Sequence, residues 1–543
     1  MKQTWYREGV VYQIYPRSYL DSNHDGVGDL QGIISKVPYL HELGIDILWL
    51  SPVYQSPNDD NGYDISDYRA IHPDFGTMDD MIELIQTLHD HHIKLIMDLV
   101  VNHTSDEHPW FVASAKNDPK YKDYYHWKTT KSNWTSFFGG EAWTYHPERQ
   151  AYYLHLFSKK QPDLNWDNPE VRREVKDICR FWLDLGVDGF RCDVINIIAK
   201  HNDLPKGKPG IALVGKEHYF NIPKIHDYLS ELRDDVFVNY DCFTVGETVM
   251  ISPKTALTYI DEDVRELDMV FHFDHMGADN YFVKWFMKKF RPINLKRPLS
   301  KWQIMLGERG WNTLYLENHD QPRSVSRFGD IQYHYHLATM LATMIYFQRG
   351  TPFIYQGQEI GMTNASFPTL AEYQDIETHN IYKTGRRLGL SHRRMMKKIM
   401  KMSRDNARTP MQWNSQTHAG FTEATPWLKV NPNYVDINVE NNLKDPNSIF
   451  HHFQHIIRLR KAYPIIVYGS YADIDFHHRR LYAYARILNN ELIEVYCNFS
   501  NKPLKCPHLA FWSNDRCLIS NYPLDHEEPY LRPYEARVYY EKK

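Results

Sequence analysis

Cysteine is scarce in this chain: six in 543 residues, at positions 179, 192, 242, 497, 506 and 517, with no spacing that suits paired metal ligands. The Met1-to-Glu8 stretch lacks the apolar core of a secretory signal, and nowhere do the roughly 18 consecutive apolar residues of a membrane-spanning helix occur. With so few thiols, the expectation is a reduced, cytoplasmic protein. Charge of one sign is missing too. Sixty-three Lys and Arg stand against 68 Asp and Glu, a net charge of −5, so neither nucleic acid nor an anionic membrane is expected as a partner. Internal repeats are absent, which removes solenoids.

Aromatic residues are plentiful, 14% of the chain with 38 Tyr and 14 Trp. They stack on sugar rings, but they also fill cores. More pointed are three acids that each close a short apolar run: Asp193 in Gly189–Val194, Glu247 in Thr244–Thr248 and Asp320 in Leu316–Asp320. Each run reads as a buried strand ending on a carboxylate, and a buried charge is costly unless it is paired or used. Any one of these acids alone suits a helix cap or a loop contact. Three, with helical patterns between them, describe one pocket lined by several strand ends, the geometry of a parallel barrel. Two carboxylates flanking one bond are the minimum equipment for glycoside hydrolysis.

The length suits a large barrel with additions. Eight strand patterns alternate with helical ones, an α/β arrangement of (β/α)8 type: Val10–Tyr19, Ile47–Val53, Lys94–Val101, Gly189–Val194, Phe243–Thr248, Met269–His275, Thr313–Asp320 and Pro352–Gln356. After Asn168 (an N-cap) and Pro169, the residues Val171, Val175, Ile178, Trp182 and Leu185 recur at helical spacing until Gly186. Residues 104–173 break the alternation and read as an inserted domain B. Domain A then comprises 1–103 and 174–465. After a helical run over Ile449–Tyr463, alternating strands such as Leu481–Ile487 and Glu491–Asn498 predict an all-β sandwich, domain C, over 466–543.

Arg191 lies two residues before Asp193, on the same face of a strand, where its charge favours an ionised carboxylate. Glu247 has no charged neighbour in sequence, and an apolar setting would raise its pKa toward that of a general acid. His103 and His319 stand at strand ends, where either a structural or a hydroxyl-binding role is open.

Several segments together resemble a known family. Asp98–His103, Gly189–Val194, Glu247 with its flanks and Asn318–Asp320 are similar to the four signature regions of the α-amylase superfamily of retaining glycoside hydrolases. Gln161–Trp166, Gly62–Asp64 and Arg404–Trp413 resemble the oligo-1,6-glucosidase group within it. The resemblance covers essentially the whole chain. It implies a (β/α)8 barrel with an inserted domain B and a C-terminal β-sandwich. It implies Asp193 as nucleophile, Glu247 as acid and then base, and Asp320 as a third acid binding sugar hydroxyls. It places His103, Arg191 and His319 on the −1 glucose with Tyr63 stacked on it, and Asp64 with Arg404 closing the pocket behind the non-reducing end. Val194, after the nucleophile, resembles relatives that prefer α-1,6 bonds; such a contact is worth only about 1–3 kcal/mol. The implied activity is removal of glucose from the non-reducing ends of isomalto-oligosaccharides by double displacement, by a monomer without an organic cofactor.

Asp21, Asn23, Asp25, Val27 and Asp29 place oxygen ligands on alternate residues with glycines between. An EF-hand is excluded, because Gly32 stands where the closing Glu belongs. The segment resembles a calcium loop of the oligo-1,6-glucosidase group, with Val27 supplying its carbonyl, which implies a structural Ca2+. An Asx-rich turn would look similar.

Trehalose-6-phosphate hydrolases share nearly every motif, but typically carry a basic residue after the His-Met of strand six. Here Gly277 follows His275 and Met276, leaving Lys284, Lys288, Lys289 or Lys296 as phosphate ligands. Sucrose isomerases carry a charged loop after the third acid that Gln321–Asp330 matches poorly. Inactive transporter heavy chains lack the acid set and need an anchor.

Overall fold

The computed structural model describes residues 4–210, 212–281, 283–525 and 529–543. Eight apolar runs form parallel strands: β1 (Val11–Ile14), β2 (Ile47–Leu50), β3 (Lys94–Leu99), β4 (Gly189–Cys192), β5 (Phe243–Glu247), β6 (Met269–Phe271), β7 (Thr313–Leu314) and β8 (Thr351–Tyr355). Their order is β6-β5-β4-β3-β2-β1-β8-β7, and a parallel bridge between Val270 and Asn312 joins the two ends into a barrel. Beyond Lys94 every residue of β3 is buried, as a strand covered on both faces requires.

All eight strands lie within or beside the stretches read from the sequence, but several stop early. β1 ends before Pro16, which has no N–H to donate and opens a 3-10 turn over Pro16–Ser18. β7 is two residues long: Leu314 pairs with Pro352, which cannot donate to the ladder. Asp320 therefore sits in a loop beyond the strand.

Helix α1 (Pro169–Leu185) forms as its sequence dictates. The Asn168 side chain accepts from the Glu170 N–H, and Gly186 ends the helix at φ 112. Leu183 faces the core and Leu185 is only half-buried, a small shift from the expected stripe. The start at Pro169 lies inside the stretch assigned to the insert. Before it, Trp127–Lys128, Trp143–His146 and Ala151–Leu154 make a three-stranded antiparallel sheet.

Two further helices, α2 (Ile376–Arg387) and α3 (His392–Met402), form a hairpin after β8, and α4 (Ile449–Ala462) completes the barrel's outer layer. The chain ends in a five-stranded antiparallel sheet of β9 (Ser470–Ile474), β10 (Leu481–Leu488), β11 (Glu491–Asn498), β12 (Cys517–Ser520) and β13 (Ala536–Lys542), in the order β9-β10-β11-β13-β12. Its outer layer is thin. A two-stranded pair, Leu504–Lys505 with Tyr530–Leu531, covers Leu481, Ala483, Tyr496 and Tyr539. No described helix is long and apolar enough to cross a membrane.

Candidate active site

Register builds the centre of the site. Asp98 on β3 is the direct neighbour of Arg191 on β4. The Arg191 guanidinium, 2% exposed, donates from Nη1 to Asp98 and to Asp193 (2.6 Å), and from Nη2 to Glu247 at the end of β5. One cation thus ties together carboxylates at or just beyond the ends of three consecutive strands. Trp49 on β2 donates its indole N–H to the other oxygen of Asp98 at 2.8 Å.

Three buried carboxyls share that single cation, so Asp193 has the expected Arg191 partner but divides its charge with Asp98 and Glu247. Burial pushes Asp98 up to about 6 despite Arg191 and the Trp49 bond. Burial also raises the Asp193 carboxyl well above its ordinary range; Arg191 opposes this, while Glu247 and Asp98 add to it.

Val194, the residue after Asp193, adopts φ 37 and ψ 39, a left-handed conformation that is a genuine outlier for a β-branched side chain. That turn points its N–H at Glu247 Oε2, 3.3 Å away. Its side chain belongs to one buried apolar cluster with Trp134 of the insert and with Leu204 and Tyr219 of the segment that follows β4.

On the opposite wall Gln13 of β1 donates to His319 Nδ1 at 2.8 Å. The proton of His319 must then lie on Nε2, which meets the Tyr63 hydroxyl at 2.8 Å and Asp320 at 3.3 Å. Burial lowers the His319 pKa to about 3, so the ring is neutral. Tyr63 stacks on it with centroids 5.4 Å apart. Asp320 also accepts from Arg408 (2.7 Å) and Arg404 (3.3 Å). Burial alone would raise its carboxyl, but His319, Arg404 and Arg408 outweigh that and hold it well below the usual range.

Arg404 does not meet Asp64. Its partners are Asp375 (2.7 Å), Asp60 (3.3 Å), Asp320 and, at 3.7 Å, Glu377, with its guanidinium 5.3 Å above the Phe138 ring. Asp64 instead accepts the backbone N–H groups of Asp59 (2.8 Å) and Asp60 (3.1 Å), fully buried. It shapes the loop that presents Asp60 and Tyr63. The chain reverses at Asn61 (φ 51) and Gly62 (φ 97), and this carries the earlier acid to Arg404. His103 donates from Nε2 to the Tyr63 carbonyl at 3.1 Å, and burial lowers its pKa to about 4.

The sequence reading left out Gln13, Asp60, Asp98, Asp375 and Arg408. Asp98 is a lone charge inside the apolar run Leu95–Val101, as costly to bury as the three chosen acids, and Arg408 follows Arg404 by one helical turn, so both were accessible. Gln13 and Asp375 carry no local signal.

In the Asp21–Asp29 segment the side chains of Asp21, Asn23 and Asp25 accept N–H groups of their own loop, and Asp29 caps the helix Leu30–Ser35 through Gly32. All the donors are hard oxygens, the chemistry of Ca2+. Among the described residues no three His, Cys, Asp or Glu side chains are grouped to hold a metal. The loop therefore fits a cation only with the Asn23 amide and the Val27 carbonyl included. Of the lysines considered for phosphate, Lys284 pairs with Glu377 (2.6 Å), and Lys296 is buried against the carbonyls of Asp475 and Leu481.

Comparison with known proteins agrees with this geometry. Residues 13–469 match the family described as alpha amylase, catalytic domain. An oligo-1,6-glucosidase of Parageobacillus thermoglucosidasius is 52% identical over 557 residues, covering 99% of each chain. Among solved structures, a Bacillus licheniformis trehalose-6-phosphate hydrolase superposes with a TM-score of 0.95 at 43% identity, covering 100% of both chains. The isomaltulose synthase of Klebsiella sp. LX3 reaches 0.95 at 40% identity, covering 99% of this chain and 100% of that one. The barrel, the strand-end carboxylates and these matches agree: the chain is a glycoside hydrolase of the α-amylase family.

Proposed function

We propose that this enzyme is a retaining, exo-acting α-glucosidase that releases glucose from the non-reducing ends of α-1,6-linked isomalto-oligosaccharides. The observation that carries the reading is Asp193 and Glu247 held by the two Nη atoms of one guanidinium. Such a compact pair suits double displacement; an inverting enzyme keeps its carboxyls roughly 6.5–9.5 Å apart to admit water.

In the first step an oxygen of Asp193 bonds to C1 of the terminal glucose. The C1–O bond to the rest of the substrate breaks, and Glu247 gives its proton to the departing oxygen. Negative charge leaves Asp193, now an ester, and appears on Glu247. Arg191 bonds both, so it compensates the charge before and after without moving. In the second step Glu247 takes a proton from water, whose oxygen attacks C1 and frees Asp193. Asp320, fixed by Arg404 and Arg408, is placed to accept sugar hydroxyls. The Asp60–Arg404–Asp375 group would wall off the far end of the pocket and limit cleavage to one glucose.

The relative at 52% identity supports the α-1,6 preference. Of the four lysines that could serve a phosphorylated disaccharide, Lys284 and Lys296 are engaged by other partners, while Lys288 and Lys289 form no ion pair among the described residues, so trehalose-6-phosphate belongs in the test. A structural Ca2+ in the Asp21–Asp29 loop and a cytoplasmic location, which six unpaired cysteines suit, belong to the same proposal.

The test is glucose release from isomaltose, isomaltotriose, maltose and trehalose-6-phosphate, with Asp193→Asn as blank and the product anomer read by NMR. Fast release of α-glucose from the isomalto sugars, abolished in the variant, is expected. Trehalose-6-phosphate as the only good substrate, or β-glucose as product, would overturn it.

A further inference from the structure

The even charge balance of the whole chain conceals a strong local asymmetry. Residues 376–402, the α2–α3 hairpin, hold eight Lys and Arg against one acid, Glu377, in a chain of net charge −5. Glu377 is already occupied by Lys284 and by the Trp285 indole. Among the described residues, Lys383, Arg386, Arg387, Arg393, Arg394 and Lys397 form no ion pair with an acid, and all six are exposed.

Two features make this more than a solvated face. The hairpin is firmly mounted: Met396, Ile399 and Met402 of α3 are buried with Trp285, Phe367 and Tyr373, and Met395 is buried as well. At Gly385 α2 approaches so closely that an added Cβ would lie 2.3 Å from Met395 Sδ. The second feature is the tip. From Arg386 to Arg394 every residue is exposed except half-buried Leu390, and Leu388 is 76% exposed between two arginine pairs. A protruding apolar side chain ringed by cations is the arrangement that seats on anionic headgroups, the leucine entering the boundary and the cations staying among the phosphates. Neither helix exposes a Phe, Tyr or Trp ring, and the exposed His392 is held edge-on to Tyr382 by a 2.9 Å hydrogen bond to its hydroxyl, a poor platform for the stacking that single-stranded nucleic acid favours.

We propose that the α2–α3 hairpin docks the enzyme on an anionic phospholipid surface. The hairpin follows β8, and its two feet, Asp375 and Arg404, bond to each other at the pocket.

The test is co-sedimentation of the full-length enzyme with vesicles containing phosphatidylglycerol or made of phosphatidylcholine alone, at low and high salt. Wild type should partition only to the phosphatidylglycerol vesicles and come off at high salt. The variant Arg386→Glu/Arg387→Glu/Arg393→Glu/Arg394→Glu should lose more than about a hundredfold in partition, at about fivefold per cation, with melting temperature and activity in solution unchanged. Leu388→Ser should weaken binding with the charge intact. No partition by wild type, or equal partition by the charge-reversed variant, overturns the proposal. Tighter binding to tRNA than to the vesicles reassigns the patch to nucleic acid, and sedimentation without vesicles reassigns it to a second copy of this chain; either result also overturns it.

Discussion

Arg191 donates to carboxyls from three neighbouring strands, so replacing it changes more than one charge. Lysine keeps the charge but is a point donor without the planar fork that spans Asp193 and Glu247. Arg191→Lys should therefore lower kcat/KM by about 100-fold or more. The pH profile should move as well. Burial already raises the Asp193 carboxyl, and a weaker cation leaves it higher still. The nucleophile must be ionised to attack, so the acid limb of kcat/KM should shift to higher pH. An acid limb that stays in place would mean that Arg191 only positions the pair. Val194 offers a second test at this scale. Its left-handed backbone costs about 1–3 kcal/mol, a strain that alanine bears more easily. Val194→Ala should shift preference toward maltose by about tenfold, while relief of strain offsets the lost methyl contacts and leaves the melting temperature near that of wild type.

At the scale of elements, the loop from Asn58 to Asp64 separates two acids that look alike in sequence. Asp60→Asn should raise KM for isomaltose with little change in stability, because it faces Arg404. Asp64→Ala should destabilise, because the buried Asp60 N–H and the half-buried Asp59 N–H lose their acceptor, at about 1–3 kcal/mol for the buried one. Thermal melts alongside KM values distinguish the two, and the reverse pattern would restore Asp64 as the gate. The same contrast shows what was legible beforehand. Strand and helix positions were readable because β3 and α1 are set by apolar periodicity and by Asn168, Pro169 and Gly186, all local. The early ends of β1 and β7 come from prolines, one of them on the neighbouring strand, and pairing partners cannot be read from a single segment. Asp60 was missed because the reversal at Asn61 and Gly62 decides which acid reaches Arg404, which lies far away in sequence. The Asp21–Asp29 loop belongs to this scale too: if it holds Ca2+, chelation should lower the melting temperature and added Ca2+ restore it, with kcat per folded molecule unchanged.

At the scale of the molecule, the C-terminal sheet is secured to the barrel by a residue with no acidic partner among the described residues. Arg486 on β10 is fully buried and donates to the carbonyls of Phe347 (2.6 Å), Ile466 (2.8 Å), Val467 (3.3 Å) and Gly469 (2.6 Å). Phe347 belongs to the barrel, and the other three form the junction before β9, so one guanidinium closes both sides of the interface. Carbonyls at a helix end and a turn have no donors of their own here, and an arginine fork can serve four of them where other side chains serve one or two. The arrangement also fixes orientation, because each carbonyl points at a different N–H. Arg486→Met fills much of the volume but leaves those acceptors unserved, at a cost of about 3 kcal/mol or more. Among the described residues the catalytic carboxylates share no hydrogen-bond partner with Arg486, so kcat at low temperature should be preserved. Limited proteolysis during a thermal ramp should then cut first between residues 464 and 480, releasing the C-terminal sheet before the barrel unfolds. Simultaneous loss of both parts would show instead that the barrel and the C-terminal sheet fold as one cooperative unit, with the continuous apolar core through Tyr484, Val495 and Val538 sufficient to bind them.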